Sequence, residues 1–370
     1  MSRVISVVIS RHWASVICVF AVGTFAVESA AQQIVSPEKI SGRQVCTVCH
    51  ISEQAAWEQS SHNTKAWSLL DHPKSAGFAK ALGVTDIKGD SACTQCHGTQ
   101  QIKQGKLIVA HGNSCESCHG GSGGADGWLK KHFDFGLGRK LSRGITIAQL
   151  LEDRAKETPQ HRATREQACS AVGMNRSANA FQIARNCLQC HLVPNEQLVE
   201  AGHPMSTRFE FVEWAQGEVR HNFLFDPKKN AEVPTGWSDR HAAGTADGRK
   251  RLMYVAGQLA DLSVSLRNRS IATSTKRNSL GDEANDRILD IHEELTEFEI
   301  PVLAELLTAI GKLGKKKLKT VTPNDKQSYG KAAAAVETTA KKFVAAHHDG
   351  SKLPASIKIP RKVKGDPHQP

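Results

Sequence analysis

Four short motifs constrain this chain of 370 residues more than any other feature: Cys46-Thr47-Val48-Cys49-His50, Cys93-Thr94-Gln95-Cys96-His97, Cys115-Glu116-Ser117-Cys118-His119 and Cys187-Leu188-Gln189-Cys190-His191. They use eight of the ten cysteines and leave Cys18 and Cys169 apart. At this composition one C-x-x-C-H is expected by chance at about the 1% level, so four of them are not an accident. Two thiols one helical turn apart reach the two vinyl groups of a haem, and the adjacent imidazole then binds the iron from the proximal side. Zinc sites also use C-x-x-C pairs, but they need no histidine directly afterwards. A disulfide framework in an exported chain would have no reason to repeat it either. The motifs therefore predict four haem c groups. They would be attached through Cys46, Cys49, Cys93, Cys96, Cys115, Cys118, Cys187 and Cys190, with His50, His97, His119 and His191 on the irons. Aromatic residues make up only 5% of the chain, and large flat cofactors would supply apolar volume that such a core otherwise lacks.

The first residues read as an export signal. Arg3, Arg11 and His12 form a positive region, Trp13 to Val27 is apolar, and Ser29-Ala30-Ala31 offers small residues for cleavage before Gln32. The apolar run is short for a membrane span, and no later segment is apolar enough to be one. The expectation is a periplasmic or secreted protein, not integral to a membrane. Residues 1–31 are then the signal peptide, 32–235 a tetrahaem cytochrome c domain, 236–350 a helical extension and 351–370 a mobile basic tail. The expected fold class is mainly α, with short helices and loops around four haems and a C-terminal helical hairpin or bundle. Leu252, Val255, Leu259, Leu262 and Leu266 form an amphipathic helical stripe. A second stripe runs from about Asp282 through Ile288, Ile291, Leu295, Phe298, Val302, Leu306 and Ile310, with a kink expected at Pro301. A third, alanine-rich helix is expected around Lys326 to His347.

Seventeen histidines are more than four motifs need. In the haem zone the spare ones are His62, His72, His111, His132, His161, His203 and His221, and a lone histidine is more often a packing or surface residue than a ligand. Context favours some of them as distal iron ligands. His62 lies on a helix-like run after the first motif and is better placed for a neighbouring haem than for its own. His132 follows the third motif through the glycine-rich loop Gly120-Gly121-Ser122-Gly123-Gly124. His203 is fixed in Gly202-His203-Pro204, His221 follows Trp214, and His111 precedes the third motif. Met174 and Met205 rank below these as alternatives that would raise a haem potential.

The stretch Gly42-Arg43-Gln44-Val45-Cys46 to His50, with Trp57 and His62-Asn63-Thr64-Lys65-Ala66, resembles the opening of the tetrahaem cytochrome c-554 family of nitrifying bacteria. Gly112-Asn113-Ser114-Cys115 to Gly120 and Cys187 to Leu192 fit the same family, and the resemblance spans roughly residues 40–225. It implies a mainly helical fold with four haems in stacked pairs that pass electrons along. It also implies that His62 caps the fourth haem, that His132 caps the first, and that His203 or His221 caps the third. The family's second haem has no protein ligand on its far side, although His111 could close that site here.

Electron transfer between redox partners is the leading functional expectation, because irons ligated by two histidines leave no open position. The alternative is an enzyme acting on nitric oxide, hydroxylamine or nitrite at an open second haem. Against it, no C-x-x-C-K motif exists, and the only two tyrosines, Tyr254 and Tyr329, lie outside the haem zone. Charge suggests the kind of partner. Residues 312–370 carry fourteen Lys and Arg against Asp325, Glu337, Asp349 and Asp366, a formal +10 of the chain's +11. Such a tail could steer an acidic redox protein or rest on an anionic membrane surface. Nucleic acid is not an expected partner.

Overall fold

The computed structural model describes residues 35–89, 92–109, 112–139, 145–206, 209–220, 223–226, 231–234, 245–314 and 321–366. The expected signal (1–31), His111 and His221 lie outside the described residues. The fold is mainly α, as the sequence leads one to expect. The motif-bearing half begins with α1 (Gln44–Thr47), α2 (Ile51–Gln59), α3 (Ser61–Ser68), α4 (Ser75–Leu82) and α5 (Ala92–His97). It continues through α6 (Cys115–His119), α7 (Leu129–His132), α8 (Ile147–Lys156), α9 (Pro159–Ala171), α10 (Ala180–His191), α11 (Glu196–Glu200) and α12 (Phe211–Gln216). Longer helices follow: α13 (Ala246–Ile271), α14 (Leu280–Glu297), α15 (Ala304–Gly314) and α16 (Pro323–Ala346).

Two antiparallel hairpins interrupt the helices. In the first, β1 (Gln100–Lys103) pairs with β2 (Lys106–Val109), and in the second, β3 (Phe223–Asp226) pairs with β4 (Ala231–Pro234). Gln104 and Gly105 both take positive φ, which is the turn geometry that matches the twist of a two-residue hairpin. These hairpins went unread in the sequence, because neither is flanked by a long alternating run.

Helix α13 is the centre of the molecule. Leu252, Leu259, Leu262 and Leu266 are fully buried, but so are Ser263 and Arg269 on its other faces. The expected amphipathic stripe is thus part of a helix enclosed nearly all round by α10, α12, α14 and α16. Its polar groups find partners inside. Asp261 pairs with Arg287 of α14, and the Arg269 guanidinium lies 4.7 Å over the Tyr329 ring of α16. The second expected stripe is broken where a kink was expected. Proline has no N–H to continue the helix and its ring clashes with the preceding turn. The chain therefore leaves α14 at Phe298, takes a positive φ at Glu299, and re-forms through a 3₁₀ turn, Pro301–Leu303, into α15.

One apolar cluster joins the two halves. Phe181, Ala184 and Leu188 of α10 and Val212 of α12 share it with α13, α14, α15 and α16. The side chain of Asn268 on α13 also donates to the Leu192 carbonyl, just beyond the fourth motif, at 2.9 Å. Residues 351–366 depart from the expected mobile tail. Leu353 and Ile357 are buried in the same cluster, the Glu218 amide donates to the Lys364 carbonyl at 2.9 Å, and the Lys364 amide donates to the Glu213 carbonyl at 3.2 Å. Two apolar anchors and two backbone bonds override a composition that reads as disordered.

Leu259 is fully buried at the middle of α13, so Leu259→Ala should destabilise the protein by about 2–5 kcal/mol. Denaturant unfolding followed by far-ultraviolet circular dichroism checks this; a change inside the error of the wild-type midpoint would contradict the central placement of α13.

Candidate haem sites

Each motif ends a short helix or the turn that follows one. His97, His119 and His191 are the last residues of α5, α6 and α10, and His50 sits between α1 and α2. The helical turn puts the two cysteines of a pair on one side, with the imidazole following. In all four histidines the Nδ1 atom faces an oxygen. His97 donates to the Ala66 carbonyl at 2.9 Å, and His119 donates to the Asn175 carbonyl at 2.8 Å. His191 hydrogen-bonds the Ser206 hydroxyl at 3.1 Å, and His50 lies 3.5 Å from a Glu53 carboxylate oxygen. A hydrogen bond at Nδ1 fixes tautomer and ring orientation, and leaves the lone pair on Nε2 for a metal.

Three of these rings face a second imidazole. His132 stands opposite His50 at a centroid separation of 6.2 Å, His62 opposite His191 at 6.1 Å, and His203 opposite His97 at 6.1 Å. Two imidazoles bonded through nitrogen to one metal at about 2 Å on opposite sides put their ring centres roughly 6 Å apart. Burial pushes His132 and His191 down to about 4, with the facing imidazole adding to the shift in each case. Burial likewise lowers His62 and His97. These rings are therefore neutral near pH 7, as a metal ligand must be.

The resemblance implied His203 or His221 for the third haem; the structure sets the His203 ring opposite His97 of the second motif. The reason is tertiary: α11 packs on α4, so the turn after α11 brings His203 against Phe78 of α4 (5.0 Å between ring centres) and toward α5. The remaining spare histidines in the described residues do other work. His72 is exposed and accepts from the Lys74 amide, while His161 pairs with Glu157. Met205 packs among apolar residues. Tyr254 and Tyr329 are buried within the helical bundle, and Cys169 is buried.

Supporting residues complete the sites, and pattern reading did not find them. Glu116, inside the third motif, is fully buried and accepts from the amides of Ser41, Gly42 and Ser122 at 3.0, 2.8 and 2.9 Å. It thereby ties the segment before the first motif to the third. The thiols of Cys46 and Cys115 contact each other, as do those of Cys96 and Cys190, so motif one neighbours motif three and motif two neighbours motif four. Arg165 donates to the His132 carbonyl at 3.1 Å and to Glu157, which also receives Arg162. The hydrogen bond from Arg165 is the main reason the Glu157 carboxyl is held down at about 2. The only local signals were a carboxylate inside a haem motif and acids and bases at helical spacing.

Residues 45–120, which contain the first three motifs, match the family described as cytochrome c554 and c-prime. This stretch belongs to the cytochrome c554 family. The chain is accordingly a c-type cytochrome with a redox role, and its cofactor is haem c. No curated protein and no solved structure matches the chain. The cytochrome's own geometry fits the group: paired thiols beside an imidazole tethered at Nδ1, and facing imidazoles at a metal-spanning distance. Among the described residues no disulfide joins the cysteines, and no group of three or more His, Cys, Asp or Glu could hold a metal ion unaided, as a zinc site needs. No helix of the described residues is long and apolar enough to cross a membrane.

Two outcomes are expected of the supporting residues. Glu116→Ala orphans the buried amides of Gly42 and Ser122, each costing about 1–3 kcal/mol, and the partly buried amide of Ser41. It should lower haem content at the first and third motifs, as peptide mass spectrometry would detect, and Glu116→Gln should partly restore it. Glu157 has a depressed folded pKa, so its contribution is complete above the unfolded value near 4.5 and is lost as pH falls toward about 2. Stability measured across that window should therefore fall less steeply with acid in Glu157→Gln than in wild type; parallel curves would contradict the Arg165–Glu157 support.

Proposed function

We propose that this chain is a periplasmic or secreted tetrahaem cytochrome that relays electrons between redox protein partners. The carrying observation is that the imidazoles of the first and fourth motifs each face a second imidazole, His132 for His50 and His62 for His191, at 6.2 and 6.1 Å. When bound, haem iron supplies a one-electron Fe(III)/Fe(II) couple. At these two sites the facing imidazoles would hold that iron from both sides and leave no position for a substrate. With His191 tethered at Nδ1 by Ser206, and His62, His132 and His191 kept neutral by burial, these sites would keep one ligand geometry in both oxidation states. Two histidine ligands also favour low potentials, since methionine is the ligand that raises them. Four C-x-x-C-H motifs support a count of four haems, with His119 the iron ligand of the third. The basic export signal supports the location, because c-type haem is attached outside the cytoplasm.

The partner reading rests on charge. Lys331, Lys341, Lys342 and Lys352 are exposed on α16 and just after it. They suit an acidic redox protein, or peripheral attachment to an anionic membrane. Removing residues 312–370 outright would also remove α16 from the core, so charge reversal is the cleaner probe. Changing these four lysines to glutamate should slow reduction by an acidic partner and flatten its salt dependence in stopped-flow measurements. Unchanged rates and salt slope would exclude steering by this face.

A further inference from the structure

We infer that His203 is the sixth ligand of the second haem iron, so that the site at His97 is closed to exogenous ligands. This rests on the reading of the Cys93–Cys96–His97 motif as a haem site. The argument starts with geometry. The His97 and His203 rings are 6.1 Å apart at 63°, and their separation matches the His50–His132 and His62–His191 pairs to within 0.1 Å. Both rings are tethered through Nδ1, His97 to the Ala66 carbonyl and His203 to the Pro204 carbonyl at 3.0 Å. That leaves Nε2 of each as the nitrogen available to a metal.

The backbone makes His203 a pre-positioned side chain. Its amide donates to the Leu198 carbonyl at 2.9 Å, which wraps the end of α11. Gly202 takes φ +81°, a conformation other residues rarely adopt, and Pro204 fixes the chain on the other side. The Phe78 ring packs against the imidazole from α4. Little conformational freedom remains to be lost when the ring binds, which favours a closed site over an open one. The resemblance expects no protein ligand at this haem, and the alternative reading as an enzyme depends on that vacancy. With His203 bound, nitric oxide, hydroxylamine or nitrite would find no free position there.

The test uses the full-length, haem-loaded protein. Reduced wild type and His203→Ala are titrated with carbon monoxide, and haem content is counted by intact mass. His203→Ala is expected to gain one carbon-monoxide-binding haem relative to wild type, and added imidazole should abolish the gain. His72→Ala, which alters an exposed ring, should behave as wild type. Equal binding by wild type and His203→Ala overturns the proposal. If the alanine variant does not fold, His203→Met serves instead. A thioether at this position should raise one haem potential, and an unchanged set of potentials again overturns the proposal. Absence of haem on the peptide bearing Cys93 and Cys96 would remove the underlying haem reading, and mass spectrometry reveals that failure independently of any gas titration.

Discussion

The sites depend on holding an imidazole by one nitrogen so that the other is free. A surface histidine rotates and titrates; a ligand can do neither without losing its metal. Here the motif histidines are restrained through Nδ1 by backbone carbonyls, a hydroxyl or a nearby carboxylate. The oxygens come from segments distant in sequence: Ala66 for His97, Asn175 for His119, Ser206 for His191. The chain around the sites must therefore fold correctly before any ring is aimed, and each short helix is useful only in its place beside another segment.

The helical bundle supplies that place. Helix α10 has two tasks, because Phe181, Ala184 and Leu188 belong to the central core while Cys187, Cys190 and His191 serve a site at its end. Packing against α13 fixes its rotation, and the bond from Asn268 to the Leu192 carbonyl fixes its end. The C-terminal helices are thus part of the scaffold that orients the fourth motif. The packed segment around Leu353, Ile357 and Lys364 extends this scaffold back to α12.

Much of the chemistry was legible in the sequence because haem attachment is a local pattern. The four C-x-x-C-H sites need only neighbours in the chain, and the family resemblance singled out His62 and His132, whose rings the structure sets opposite His191 and His50. His203 was recognised as a rigid candidate from Gly202 and Pro204, but its place opposite His97 was not, because that depends on α11 meeting α4. Glu116 was missed for the same reason, since Ser41 and Gly42 lie far from it in sequence; Arg165 sits at helical spacing from Glu157, but its reach to the His132 carbonyl leaves no local trace. The central helix shows the opposite case. Its leucine stripe was read correctly, yet burial of Arg269, Asp261 and Ser263 on the other faces depends on α14 and α16, and a stripe cannot report what covers its back.

Iron positions in the haem-loaded protein test the paired-histidine sites most directly, through an anomalous-scattering map at the iron edge. Four peaks are predicted. Three should lie between the ring pairs His50 and His132, His97 and His203, and His62 and His191, each within bonding distance of both Nε2 atoms. A peak beside His97 with His203 turned away, or no peak between any of the three pairs, would contradict the account.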